Sequence, residues 1–314
     1  MSYEILEPFT YNWLQQALAA VGPALTDLPV DQARRLMVQG QGDTPTAPDL
    51  DLSLHHAPAM DFFIIRPRHA NAPLPVIVFL HGGGWVLGDL QTHKRLVQDL
   101  AQRVGCAVVF PEYPRAPEAP FPAAVEDTYL FLLWLVQQAE ALNLDTLRLV
   151  LAGDSSGGNL AAVLSVLAHR RAGPVIRHQV LLYPVTDCDL NRESYARFGS
   201  GFNLDSALMH WFWRQYVPDP EQRLDPRASP LHFPRCDMAG AAPAIVITAE
   251  CDILRDEGEA YATRLTQAGV PTTLWRAEGT VHSFLLDNAL AKSAPTTGAL
   301  KLLENQLRDS LFHP

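Results

Sequence analysis

Leu147-Arg-Leu-Val-Leu-Ala-Gly153-Asp154-Ser155-Ser156-Gly157-Gly158-Asn159-Leu-Ala-Ala162 decides how this chain folds. An apolar run that favours a strand passes into Gly-x-Ser-x-Gly, and small helix-forming residues follow. The chain must therefore turn sharply from strand to helix at Ser155. Glycines flank the serine because the turn is too tight for a Cβ at those positions, and the strain projects the hydroxyl above the strand end, over a helix N-terminus. Ser155 is the candidate nucleophile. Ser156 falls on the first helical turn, where its backbone N–H can serve as an oxyanion donor while its side chain is expected to matter little.

On both sides of this stretch, short β-rich runs alternate with helical ones. Residues 61–65, 76–80, 107–110, 147–152, 179–183, 244–249 and 272–275 are the candidate strands. Such alternation builds an α/β fold with a mostly parallel sheet covered by helices, and its ligand site lies beyond the C-terminal strand ends.

Chemistry should therefore follow strands. A serine hydroxyl is a weak nucleophile at neutral pH and needs a base within hydrogen-bond reach. Of 11 histidines, His282 sits in Ala277-Glu-Gly279-Thr-Val-His282-Ser-Phe284, directly after the strand at 272–275. His169 at a helix end, His210 inside a helical stretch and His313 in the tail read as surface or packing residues. Asp252, just past the strand at 244–249, is the candidate acid that orients the base. Asp187, past the strand at 179–183, competes for that role, while Asp256 and Glu257 look like the start of the next helix.

A place for the negative charge that develops on a carbonyl oxygen comes from Val76-Ile-Val-Phe-Leu-His81-Gly82-Gly83-Gly84-Trp85. Backbone N–H groups of Gly83 and Gly84, joined by Ser156, can hold an oxyanion, each contributing about 2.7 to 4 kcal/mol if well placed. The spacing matches neither GxGxxG nor GxxxxGK[ST], so a phosphate loop is not indicated.

The rest of the sequence bounds the protein. Its 314 residues, 48% hydrophobic and 18% charged, suit one globular catalytic domain. A net charge of −10 with no basic run argues against nucleic acid as a partner. Cys106, Cys188, Cys236 and Cys251 are scattered, with neither a CxxC pair nor a disulfide-framework spacing, and read as free thiols. Residues 1–10 lack a basic region followed by an apolar one, and no apolar run could span a bilayer, so a cytoplasmic protein without stable membrane insertion is expected, monomeric or homodimeric.

Residues 4–40 hold two helical patterns separated by Gly22-Pro23, and a Pro/Asp-rich linker, roughly 41–58, follows. Residues 203–217 place Leu204, Leu208, Trp211, Phe212 and Tyr216 on one helical face and read as part of a cap. Trp85, Trp211 and Phe212 are candidates to line an apolar substrate pocket.

Three motifs together, His81-Gly-Gly-Gly-Trp85, Gly153-Asp-Ser-Ser-Gly-Gly-Asn159 and Asp252-Ile-Leu-Arg-Asp-Glu-Gly258, resemble the bacterial hormone-sensitive-lipase family of esterases. The resemblance takes in Tyr113, Ala116-Pro-Glu118, Phe121-Pro-Ala-Ala124 and Asp127, a stretch that in the family supports the active-site loops. It implies an α/β-hydrolase fold with an eight-stranded sheet and a helical cap. Residues of about 1–50 and 188–225 would form the cap, and about 51–187 and 226–314 the catalytic core. The implied substrates are small molecules, short- to medium-chain acyl esters cleaved through an acyl-enzyme with no metal or organic cofactor. The chain departs from the family pattern at Ser156, where alanine is commoner, at Pro114, where arginine is commoner, and at Ser283, where glycine usually follows the histidine. Amides, lactones or aryl formamides would use the same groups. A non-catalytic small-ligand receptor on this fold would lack the histidine that this chain keeps.

Overall fold

The computed structural model describes residues 3–20, 22–70 and 72–312. Within them eight strands form a single sheet: β1 (Leu50–His56), β2 (Asp61–Pro67), β3 (Leu74–Leu80), β4 (Ala107–Pro111), β5 (Leu144–Asp154), β6 (His178–Leu182), β7 (Ala244–Cys251) and β8 (Thr272–Val281). Their order is β1-β2-β4-β3-β5-β6-β7-β8. Strand β2 runs antiparallel to β1 and β4, and every other pair is parallel. All seven strands expected from the sequence form. β1 is a correction, because it runs inside the stretch read as a linker. Leu50, Leu52 and Leu54 do alternate with polar residues there, but β1 is a sheet edge and only Leu50 is fully buried.

The helices are α1 (Pro8–Ala19), α2 (Val30–Gln41), α3 (Leu90–Val104), α4 (Ala123–Gln137), α5 (Ser156–Arg170), α6 (Glu193–Phe198), α7 (Ser206–Tyr216), α8 (Arg235–Met238), α9 (Arg255–Gln267) and α10 (Ala294–Phe312). Central strands β3 and β4 are buried almost throughout, as continuous apolar runs such as Val76-Ile-Val-Phe-Leu80 require. Each such Val, Leu, Ile or Phe side chain contributes about 1.5–3 kcal/mol by leaving water. Helix α5 packs on β5, β6 and β3, and every residue from Ser156 to Ala168 is buried. The turn at Ser155 therefore rests on the most enclosed helix of the fold.

At the other edge of the sheet, the N-terminal segment docks on β8. Glu7 caps α1, its carboxylate accepting from Thr10 N at 2.7 Å and Phe9 N at 2.9 Å, and its own N–H donates to Gly279 O at 2.9 Å. Among the described residues no helix is long and apolar enough to cross a membrane, and all four cysteines carry free thiols. His169 ends α5 and His210 lies in α7, as expected, whereas His313 lies outside the described residues.

Candidate active site

At the end of β5 the backbone of Ser155 adopts φ 53° and ψ −119°, a conformation that side-chain-bearing residues rarely take. Ser155 N–H donates to Leu182 O at 2.8 Å, which pins the turn to the end of β6. The two glycines of the motif are forced by close approach. A Cβ on Gly153 would lie 2.3 Å from Gly157 O, and one on Gly157 would lie 2.0 Å from Leu80 O. Ser155 itself is 7% exposed, so its hydroxyl meets solvent only through a cavity.

β7 and β8 are neighbours whose last residues pair, Cys251 with Val281, so the residues that follow stand side by side. His282 Nδ1 lies 2.7 Å from Asp252 Oδ2, and Nε2 lies 3.1 Å from Ser155 Oγ. With Nδ1–H donating to the carboxylate, Nε2 is left to accept the serine proton. Leu254 N–H donates to the other Asp252 oxygen at 2.9 Å, fixing the carboxylate plane. Asn203 Nδ2 donates to His282 O at 3.0 Å, a contact that sequence reasoning missed.

Asp187, the competing acid, is engaged elsewhere. It forms an ion pair with Arg192 and accepts from His232 Nε2 at 2.9 Å. Burial pushes its carboxyl upward, but the Arg192 and His232 hydrogen bonds outweigh burial and hold it below its ordinary range.

Ser283, where the family more often has glycine, takes φ 62°, and its carbonyl accepts from Leu286 N and Asp287 N at 2.9 Å each. The loop shape is thus kept without glycine. Pro114 supplies no cation, but Arg115 donates to Gly88 O, and Arg34 of α2 donates to Val86 O at 2.8 Å and Ala116 O at 3.0 Å. The cationic support of this region comes from those residues instead.

The loop after β3 carries Gly83 at φ 116° and Gly84 at φ 61°. Gly82 N–H is taken by Asp154 Oδ1 at 2.8 Å, whereas the N–H groups of Gly83 and Gly84 have no acceptor among the described residues. Both glycines line a cavity of about 200 Å³ that also exposes Ser155 and His282. Ser156 begins α5, so its N–H has no acceptor in the preceding turn. Its side chain has a partner that the sequence did not suggest, because Oγ accepts from Trp85 N at 3.0 Å.

Leu25, Met37, Leu204, Leu208, Phe212 and Leu286 form most of the apolar wall of the cavity. Phe212 lines the cavity. Trp85 and Trp211 do not. Trp85 is fully buried behind the loop, stacked on Tyr216 with ring centroids 4.1 Å apart, and Trp211 packs edge-on to Phe212 behind the wall. Leu25 and Met37 come from the N-terminal segment, which composition alone could not assign to the cavity.

Residues 77–286 match the alpha/beta hydrolase fold family. The chain belongs to that family, in the hormone-sensitive-lipase branch that its motifs resemble. It is similar to the ethyl acetate hydrolase of Pseudomonas putida, with 39% identity over 277 residues covering 85% of this chain and 86% of the relative. The carboxylic ester hydrolase LipN of Mycobacterium tuberculosis is 42% identical over 226 residues, 70% of this chain and 59% of the relative. The crystal structure of a thermostable esterase from Pseudomonas putida superposes with a TM-score of 0.96 at 34% identity over 99% of both chains.

Proposed function

We propose that this chain hydrolyses small carboxylic esters, with Ser155 as nucleophile, His282 as general base and acid, and Asp252 as the group that orients and steadies the imidazole. The observation that carries the reading is the unbroken line Asp252 Oδ2, His282 Nδ1, His282 Nε2, Ser155 Oγ, at 2.7 and 3.1 Å. Ser155 gives its proton to His282 Nε2 as Oγ attacks the ester carbonyl. Charge on the carbonyl oxygen falls to the N–H groups of Gly83, Gly84 and Ser156. His282 returns the proton to the departing alcohol, leaving an acyl group on Ser155. Water then attacks the acyl carbonyl as it loses a proton to His282, the bond from Ser155 Oγ to the acyl carbon breaks, His282 returns the proton to Oγ, and the acid is freed.

A cavity of about 200 Å³ with an aliphatic and aromatic wall favours short to medium acyl chains. Residues of about 1–50 and 188–225 act as a cap over a core of about 51–187 and 226–314. The cavity wall supports that division, because Leu25, Met37, Leu204 and Leu208 come from the two cap pieces. The test is hydrolysis of p-nitrophenyl esters from acetate to palmitate by wild type and Ser155→Ala. A serine-dependent rate that peaks at short or medium chains is expected, and a rate indifferent to Ser155 would overturn the reading.

A further inference from the structure

We infer that the Ser156 hydroxyl is a positioning group for the oxyanion loop, holding the Trp85 backbone N–H so that the N–H groups of Gly83 and Gly84 face the reacting carbonyl. The inference rests on the reading of those two glycines as oxyanion donors.

The loop is anchored on both sides of the donor pair. Before it, Gly82 N–H donates to Asp154 Oδ1 at 2.8 Å, and after it, Trp85 N–H donates to Ser156 Oγ at 3.0 Å. The two acceptors are the residues on either side of Ser155. Nucleophile and donors thus share one frame, and a shift of the turn carries the loop with it. A chain tethered only at Gly82 would keep the loop near the site without fixing its rotation.

The loop needs such holding. Gly83, Gly84 and Trp85 follow one another at φ 116°, 61° and 61°, and for Trp85 that conformation is unfavourable. Trp85 and Ser156 are both 0% exposed, so water cannot replace the hydroxyl as acceptor. At the start of the loop, the Tyr113 hydroxyl donates to His81 O at 2.6 Å. Alanine at position 156 would offer the Trp85 N–H no acceptor.

The experiment compares wild type, Ser155→Ala, Ser156→Ala and Ser156→Thr in steady-state hydrolysis of p-nitrophenyl butyrate. It adds inhibition by an alkyl trifluoromethyl ketone, whose hemiketal oxygen mimics the oxyanion, and thermal melting. Ser156→Ala should lower kcat about tenfold, the size expected when a buried donor loses its acceptor. KM should stay within about twofold, and ketone affinity should weaken by the same factor as kcat. Ser156→Thr, which keeps the hydroxyl, should recover most of both. An unchanged kcat and ketone affinity in Ser156→Ala, with Ser155→Ala inactive, would overturn the inference and leave the esterase reading standing. An active Ser155→Ala would remove the reading and the inference together. Amide hydrogen exchange in the wild-type protein gives a check that needs no variant to fold, since slow exchange at Trp85 N–H is required and fast exchange refutes the anchor.

Discussion

The ring of Phe212 fills the space that a side chain on Gly84 would need: a Cβ built there would meet Phe212 Cδ1 at 2.1 Å. A helix from the proposed second cap piece and a loop of the proposed oxyanion hole are therefore fitted to each other. Gly84→Ala must displace either the ring or the loop, and φ 61° adds backbone strain. kcat/KM should fall by about 10²- to 10³-fold, as when one oxyanion donor is lost. Steady-state kinetics on p-nitrophenyl butyrate checks this, and activity within twofold of wild type would contradict it.

Phe212→Ala works in the opposite direction by enlarging the cavity. The acyl-chain optimum should move to longer esters while stability falls by about 3 kcal/mol or more, because the ring is 5% exposed and packed on Trp211. A chain-length profile alongside urea unfolding measures both, and an unmoved optimum would remove Phe212 from the acyl wall.

Within the proposed triad, the losses should be unequal. Ser155→Ala should lower kcat by about 10⁴- to 10⁶-fold, and Asp252→Asn by about 10⁴-fold through misorientation of His282. Asp187→Asn should leave kcat within a few-fold of wild type, since its carboxylate serves Arg192 and His232. A greater loss in Asp187→Asn than in Asp252→Asn would reverse the assignment.

Ser283 stands at φ 62°, where glycine carries no Cβ penalty. Ser283→Gly should keep kcat and raise unfolding stability by up to about 1 kcal/mol. Thermal and urea unfolding of the variant decide this, and destabilisation would show that the serine hydroxyl contributes a contact in the loop.

Glu257 gives a pH signature. It is fully buried, and burial first, then the nearby Asp187, push its carboxyl well above 4.5, while the Thr186 and Asp187 N–H groups that it accepts from offset part of the rise. A pKa raised on folding means that Glu257's contribution is fully present below about pH 4.5 and is lost as pH rises through the folded value. Glu257→Gln keeps the shape and removes the titration. Its Tm advantage over wild type should therefore grow from about pH 5 to pH 8, and parallel Tm curves would show that Glu257 does not titrate there.

How much was legible in the sequence follows from how local each signal is. That the turn at Ser155, the His81–Trp85 loop, Asp252 and His282 would come together could be read because each follows a strand within a few residues. Asp187 has the same local setting as Asp252. It is distinguished by Arg192 and His232, which only the fold brings to it. Trp211 and Phe212 are adjacent on one helix and point about 100° apart, so no pattern of theirs tells which one meets the cavity. Leu50, Leu52 and Leu54 carried a strand's alternation, but an edge with little core behind it weakens that signal below its Pro- and Asp-rich surroundings.

His282 stands three residues beyond Gly279, whose carbonyl is held by Glu7 N–H. Peeling away residues 3–19, by a proteolytic cut or a bulky fusion at the amino end, would loosen the strand end that bears His282 and leave the serine turn intact. Such molecules would keep most of the circular dichroism signal, short of the α1 contribution, and turn over slowly. The specific activity of a preparation is then a gauge of its amino-terminal integrity as much as of its folded fraction.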